Sequence, residues 1–284
     1  MIMEDQIFVS IDKFLSSYND GLSDEDCLVL LDKFSCGLKQ AMGMDDVAFS
    51  INWRITQNLF IEASTDTKSS TISFNLNRKK VFEKYKIQSS NPSFSEFIEK
   101  FKTKYVVGQD EQDDALMWTI ENRGGNLRHL GSYKDIPLSY VVTTLHELRH
   151  NKQRKISESN RKDKYIFSFM MLYSDIRCGP FDLLLTPVEI DAWQFSNEIM
   201  SQYLTKRGMP LDYVKSTLDV LELSDVDPKE QTDKMWTKFL NFTVPEDKKA
   251  TYDKILMHEK EIRKYFEGLF IKLIKLKGSE HEKS

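Results

Sequence analysis

The sequence predicts an α+β protein that is mostly helical, with one small antiparallel sheet at about residues 48–77 and a helical C-terminal part. Three observations predict this. Apolar residues recur at i, i+3, i+4 spacing through most of the chain. The period shortens to two between residues 48 and 77. No repeat, low-complexity tract or clear linker interrupts the sequence, so one domain over 1–284 is expected. Within it, 1–135 holds N-terminal helices and the sheet, 136–208 the helices that carry the candidate site, and 209–284 a helical subdomain.

The elements follow in order. Residues 6–20 and 24–41 read as amphipathic helices, and Ser23 is a natural N-cap with acidic residues in the turn after it. In AFSINWRI, Phe49, Ile51, Trp53 and Ile55 alternate with polar or small neighbours, and in TISFNLN so do Ile72, Phe74 and Leu76. A third strand is expected around Leu59 and Ile61, giving an antiparallel meander with one face buried. Ser93 and Glu96 form a capping-box pattern before another helix. Residues 106–134 are irregular, with LMWTI as one further candidate strand.

A helix is predicted from Pro137 to about Arg154, because proline is pre-set for a first helical turn. The charged loop ISESNRKDK separates it from the apolar YIFSFMMLYSDIRC, a buried helix. Thr186–Pro187 opens another helix that ends near Gly208. Three more follow, the last from about Pro245 to Lys277.

Composition narrows the class. The 284 residues are 40% hydrophobic and 30% charged, as in ordinary globular proteins, and 11 Gly with 7 Pro exclude collagen-like and Pro-rich chains. A net charge of −4 gives no general affinity for nucleic acid or anionic membranes. Three cysteines without CxxC spacing read as reduced thiols. The start MIMEDQIFVS lacks the basic and apolar regions of a secretory signal, and no stretch reaches the roughly 18 apolar residues of a membrane span. A cytoplasmic location is therefore expected, with signal-independent secretion left open.

The chemistry is concentrated in VVTTLHELRHNKQ. His146, Glu147 and His150 form HExxH on a predicted helix. Positions i and i+4 share a helix face, so two imidazoles can bind one Zn²⁺ at about 2.0–2.1 Å. Glu147 then lies next to the first ligand, where it can take a proton from a water in the open coordination position. With only five His in the chain, this spacing is improbable by composition alone. The bland alternative is an amphipathic surface helix whose His–Glu–His face is solvated or salt-bridged.

HELRH followed downstream by TPVEIDA resembles the zincin metallopeptidases, in particular the gluzincin type, and is similar to metallopeptidases encoded in bacterial and phage genomes. That resemblance covers about residues 136–200. It implies a zincin-like fold and a zinc-dependent peptidase acting on a protein or peptide substrate. His146 and His150 would be zinc ligands, Glu147 the general base and Glu189 the third ligand. The sequence departs from thermolysin-like enzymes in two ways. The His150–Glu189 separation is longer, and Trp193 stands where those enzymes carry an Asp that orients a ligand His.

Glu189 also fits a capping box with Thr186, and Asp175, Asp182 and Asp191 are rival carboxylates. His129 is a candidate for stabilising an oxyanion, with Tyr173 and Tyr165 behind it, and Asp191 is a candidate for orienting a ligand. His258 and His281 read as solvated. Lys152, Arg154, Lys155, Arg161, Lys162 and Lys164 form a basic run that lacks the aromatic interleaving of nucleic-acid sites, so a solvated loop is the simpler reading. The apolar and basic FEGLFIKLIKLK is expected to pack on the core rather than lie on a membrane. The alternative to an enzyme is a zincin-like binding or regulatory protein without turnover, of the kind associated with phages, toxins or mobile elements.

Overall fold

In the computed structural model, residues 2–19, 21–52, 63–75, 136–176, 186–219 and 227–278 are described. About 75% of these residues are helical, and the rest include a three-stranded mixed sheet, so the class is α+β. The chain divides into two compact units, Met1–Leu148 and Arg149–Ser284. No helix among the described residues is long and apolar enough to cross a membrane. The expected strand at Leu59–Ile61, the Ser93 helix, LMWTI, His129, Asp182 and His281 lie outside the described residues.

The first unit opens with α1 (Ile2–Ser17) and α2 (Asp24–Met42), which pack together. The Ser23 hydroxyl caps α2 by accepting from the Asp26 N–H at 3.0 Å. Gly43 ends α2 with φ +67°, a left-handed cap that glycine adopts without Cβ strain. Gly37 faces α1: a Cβ there would overlap the Ser10 hydroxyl, which would have to rotate away from its bond to Gln6 O. Phe14 and Phe34 meet between them with ring centroids 4.9 Å apart.

Strands β1 (Ala48–Asn52), β2 (Ala63–Asp66) and β3 (Thr71–Asn75) follow. They lie in the order β1-β3-β2, with β1 parallel and β2 antiparallel to β3. This corrects the expected antiparallel meander. Alternation with period two reports which face is buried, and parallel and antiparallel strands share that period. Chain order distinguishes them: residues 67–70 close a tight hairpin between β2 and β3, whereas β1 and β3 pair without being consecutive strands. Asp66 shapes the hairpin, its carboxylate accepting from Lys68 N–H at 3.0 Å and Ser69 hydroxyl at 2.6 Å. Ile72 and Phe74 of β3 are buried, and Phe74 meets Tyr140 edge-on at 6.4 Å.

Tyr140 belongs to α3 (Ile136–Ser157), the helix inside which the division between units falls. Val141, Val142, Leu145 and Leu148 are buried, as their spacing predicts.

The second unit continues with α4 (Lys164–Ile176), α5 (Pro187–Lys206), α6 (Asp212–Asp219), α7 (Pro228–Leu240), α8 (Lys249–Leu256) and α9 (Glu259–Gly278). The final helix predicted over 245–277 is interrupted. A short 3₁₀ turn, Glu246–Lys248, precedes α8, and His258 N–H bonds back to Ile255 O at 2.9 Å before α9 begins. The core of this unit is aromatic. Phe169 of α4 lies against Phe239 at 4.8 Å and against Trp236 and Phe266 at 5.6 Å. The side of α9 that carries Phe266, Leu269, Phe270 and Leu273 is buried, which matches the expectation that this helix packs on the core.

Candidate metal centre

α3 presents the HExxH residues because one helical turn separates His146 from His150. Ligand atoms of His146, Glu147 and His150 all lie within 4.8 Å of one another. All three are buried, with 5%, 6% and 9% of their surface exposed. The solvated surface helix is therefore not what forms. Burial of three polar side chains in one turn is costly unless partners or a bound ion compensate it. This buried group is capable of holding a metal ion.

Each unit adds contacts of its own. In the first, the Thr65 hydroxyl on β2 donates to Glu147 Oε2 at 2.5 Å and lies 3.2 Å from the Glu147 carbonyl oxygen. Sequence offered no sign of this, since the two residues are 82 positions apart. In the second, Glu189 Oε1 of α5 lies 3.3 Å from His150 Nε2. Thr186 has an extended backbone at the N-cap but its side chain makes no capping hydrogen bond, so the capping box lacks its Thr half. A charge-assisted N–H···O bond is shorter, about 2.7–2.9 Å. Two donors on a tetrahedral ion with arms of about 2.0–2.1 Å stand about 3.3–3.4 Å apart. The imidazole–carboxylate spacing thus fits a shared metal, and nitrogen plus carboxylate oxygen is a donor set that zinc accepts.

The rival Asp191 is engaged otherwise. It is completely buried, and Arg149 grips it with Nε to Oδ2 at 2.7 Å and Nη2 to Oδ1 at 2.9 Å. Tyr265 of α9 donates to Oδ1 at 2.5 Å and Gln153 Nε2 to Oδ2 at 2.7 Å. Each oxygen accepts two bonds, so no lone pair is left for a metal. Burial alone would push the Asp191 carboxyl up, but the bonds and charge from Arg149, then those from Tyr265 and Gln153, hold it below the usual range. Burial works against the Arg149 cation, and Asp191 more than offsets it. The Tyr265 phenol is pushed up by burial and by the Asp191 charge.

The other candidates are placed elsewhere. Tyr173 sits in the aromatic core, stacked with Phe239 and edge-on to Phe242 at 5.0 Å. Asp175 forms an ion pair with Lys248. Tyr165 stacks on His258 at 4.2 Å. Part of the basic run is neutralised locally, Arg154 by Glu158 at 2.9 Å and Arg161 by Asp163 at 2.8 Å. Lys152 is held below the ordinary lysine range by burial and by the charges of Arg149 and Arg161. Gln153, missed in the sequence, stands three residues after His150 on the same helix face, and that spacing was its available signal.

No protein-family model matches the chain, and no curated protein or solved structure matches it significantly.

Proposed function

We propose that the chain is a zinc-dependent, metallopeptidase-like hydrolase. The observation that carries this is the buried His146–Glu147–His150 turn with the Glu189 carboxylate 3.3 Å from His150 Nε2. His146, His150 and Glu189 would hold the ion, and Glu147 remains as the acid–base group. Zinc held there supplies Lewis acidity toward a peptide carbonyl and acidifies a water to near neutrality. The Glu147 carboxylate takes the proton from the attacking water and returns it to the leaving amine nitrogen. Among the described residues β2 is the terminal strand in the order β1-β3-β2, and its Thr65 reaches Glu147. An extended peptide adding to that edge would therefore run beside the acid–base group.

Metal analysis of the purified protein should find about one zinc per chain, lost in His146→Ala. A protein that binds no zinc at neutral pH overturns the proposal.

A non-catalytic binding role has one observation in its favour. Glu147 Oε2 already accepts a 2.5 Å bond from Thr65, so one of its two carboxylate oxygens is engaged by the protein itself. Glu147→Gln separates the two functions: hydrolysis requires that it keep zinc and lose peptide cleavage, whereas unchanged biological activity in this variant indicates binding alone.

A further inference from the structure

We propose that Gln153 is a positioning residue that fixes His150 as the Nδ1–H tautomer and thereby turns the Nε2 lone pair toward Glu189. The part of this that concerns metal rests on the function proposed above; the tautomer does not.

The orientation of the Gln153 amide is forced by its partners. Its side chain is fully buried, and its Nε2 lies 2.9 Å from Val188 O and 2.7 Å from Asp191 Oδ2. A carbonyl and an ionised carboxylate only accept, so the amide nitrogen must face them. Asp191 cannot turn away, because Arg149 and Tyr265 hold both its oxygens. The Gln153 amide oxygen is therefore the atom 2.9 Å from His150 Nδ1. An amide oxygen only accepts, so Nδ1 must carry the hydrogen. In a neutral imidazole the lone pair is then on Nε2, the atom 3.3 Å from Glu189 Oε1.

Every bond in this chain runs the same way. Tyr265 and Arg149 donate to Asp191, Gln153 donates to Asp191 and Val188, and His150 donates to Gln153. Reversing any one would set two acceptors or two donors against each other in a buried site, at a cost comparable to a lost hydrogen bond. A lone pair on Nε2 facing a carboxylate oxygen is repulsive until a cation stands between them. The relay thus holds one imidazole ready to bind a metal instead of forming its own hydrogen bond to Glu189. Asp191, a sequence candidate for orienting a ligand His, reaches His150 through Gln153.

The test reads the ring nitrogens directly. ¹⁵N NMR of histidine-labelled, metal-free protein at pH 8.5, with His150 assigned by comparison with His150→Ala, should show Nδ1 protonated and Nε2 bare. Finding the Nε2–H tautomer, or both nitrogens protonated at that pH, overturns the proposal, and this measurement needs no variant of Gln153. In Gln153→Met, similar in length and unable to accept, the His150 signals should move toward the Nε2–H form. Zinc affinity measured by competition with a chromophoric chelator should fall roughly 10- to 100-fold in Gln153→Met. Unchanged ring nitrogen signals in that variant refute the positioning role. If wild-type protein shows the Nδ1–H tautomer but takes up no zinc, the hydrolase proposal fails and the tautomer assignment stands.

Discussion

The hydroxyl of Thr65 donates a 2.5 Å hydrogen bond to Glu147 Oε2, joining a strand to the acidic residue of the HExxH turn. Glu147 is buried, so its carboxylate depends on such donors for solvation. The bond also fixes one of the two carboxylate oxygens in place. Thr65→Val keeps the shape and removes the donor. It should lower the unfolding free energy by about 1–3 kcal/mol, with Thr65→Ser close to wild type. Urea denaturation of the three proteins checks this, and equal midpoints would show that the bond contributes nothing.

The Arg149–Asp191 pair carries a larger predicted effect. Asp191→Ala leaves the Arg149 guanidinium deep in the second unit without its carboxylate. Breaking a buried pair from one side costs about 3–5 kcal/mol. Denaturant unfolding should show a loss of that order, and a loss below 1 kcal/mol would mean that water reaches Arg149.

Metal removal should be visible as stability. A ligand that binds only the folded state adds about 4 kcal/mol when its concentration is 1,000 times its Kd. Wild-type protein stripped with a chelator should melt at lower temperature and recover with zinc. His146→Ala should melt at one temperature with or without the ion. Recovery of both proteins alike would place the zinc somewhere other than the HExxH turn.

A local titration tests the basic loop. The side-chain hydrogen bonds from Arg161, against the opposing effect of burial, hold the Asp163 carboxyl below its ordinary value. A depressed folded value means the contribution is present above the unfolded pKa of about 3.9 and disappears as pH falls through the lower folded value. In Arg161→Ala the Asp163 carboxyl, followed by NMR, should titrate closer to pH 3.9. The pair is largely exposed, so the melting temperature should barely change. An Asp163 titration identical to wild type would show that the ion pair does not persist in solution.

Much of the helical layout was legible because the signals for helices are local. Ser23 before an acidic turn, Pro137 and Pro187 at first turns, and apolar residues at helical spacing each act within a few positions, and each marks a helix that forms. HExxH was legible for the same reason: both imidazoles and the Glu sit on one turn of one helix. The sheet was half legible. The alternation that buries Ile72 and Phe74 is written in residues 71–75, but the insertion of β3 between β1 and β2 depends on the path of the connections.

What the sequence determined by itself is therefore the helical α+β class and the one-turn cluster His146–Glu147–His150, because backbone periodicity alone puts those side chains together. Tertiary structure decided the surroundings. It brought Thr65 to Glu147 across 82 positions, and Glu189 to 3.3 Å from His150. It also committed Asp191 to Arg149, Tyr265 and Gln153 instead of to a metal. Such pairings are selected by burial: once enclosed, each polar atom must find a complementary partner, and which one is within reach depends on how distant segments pack.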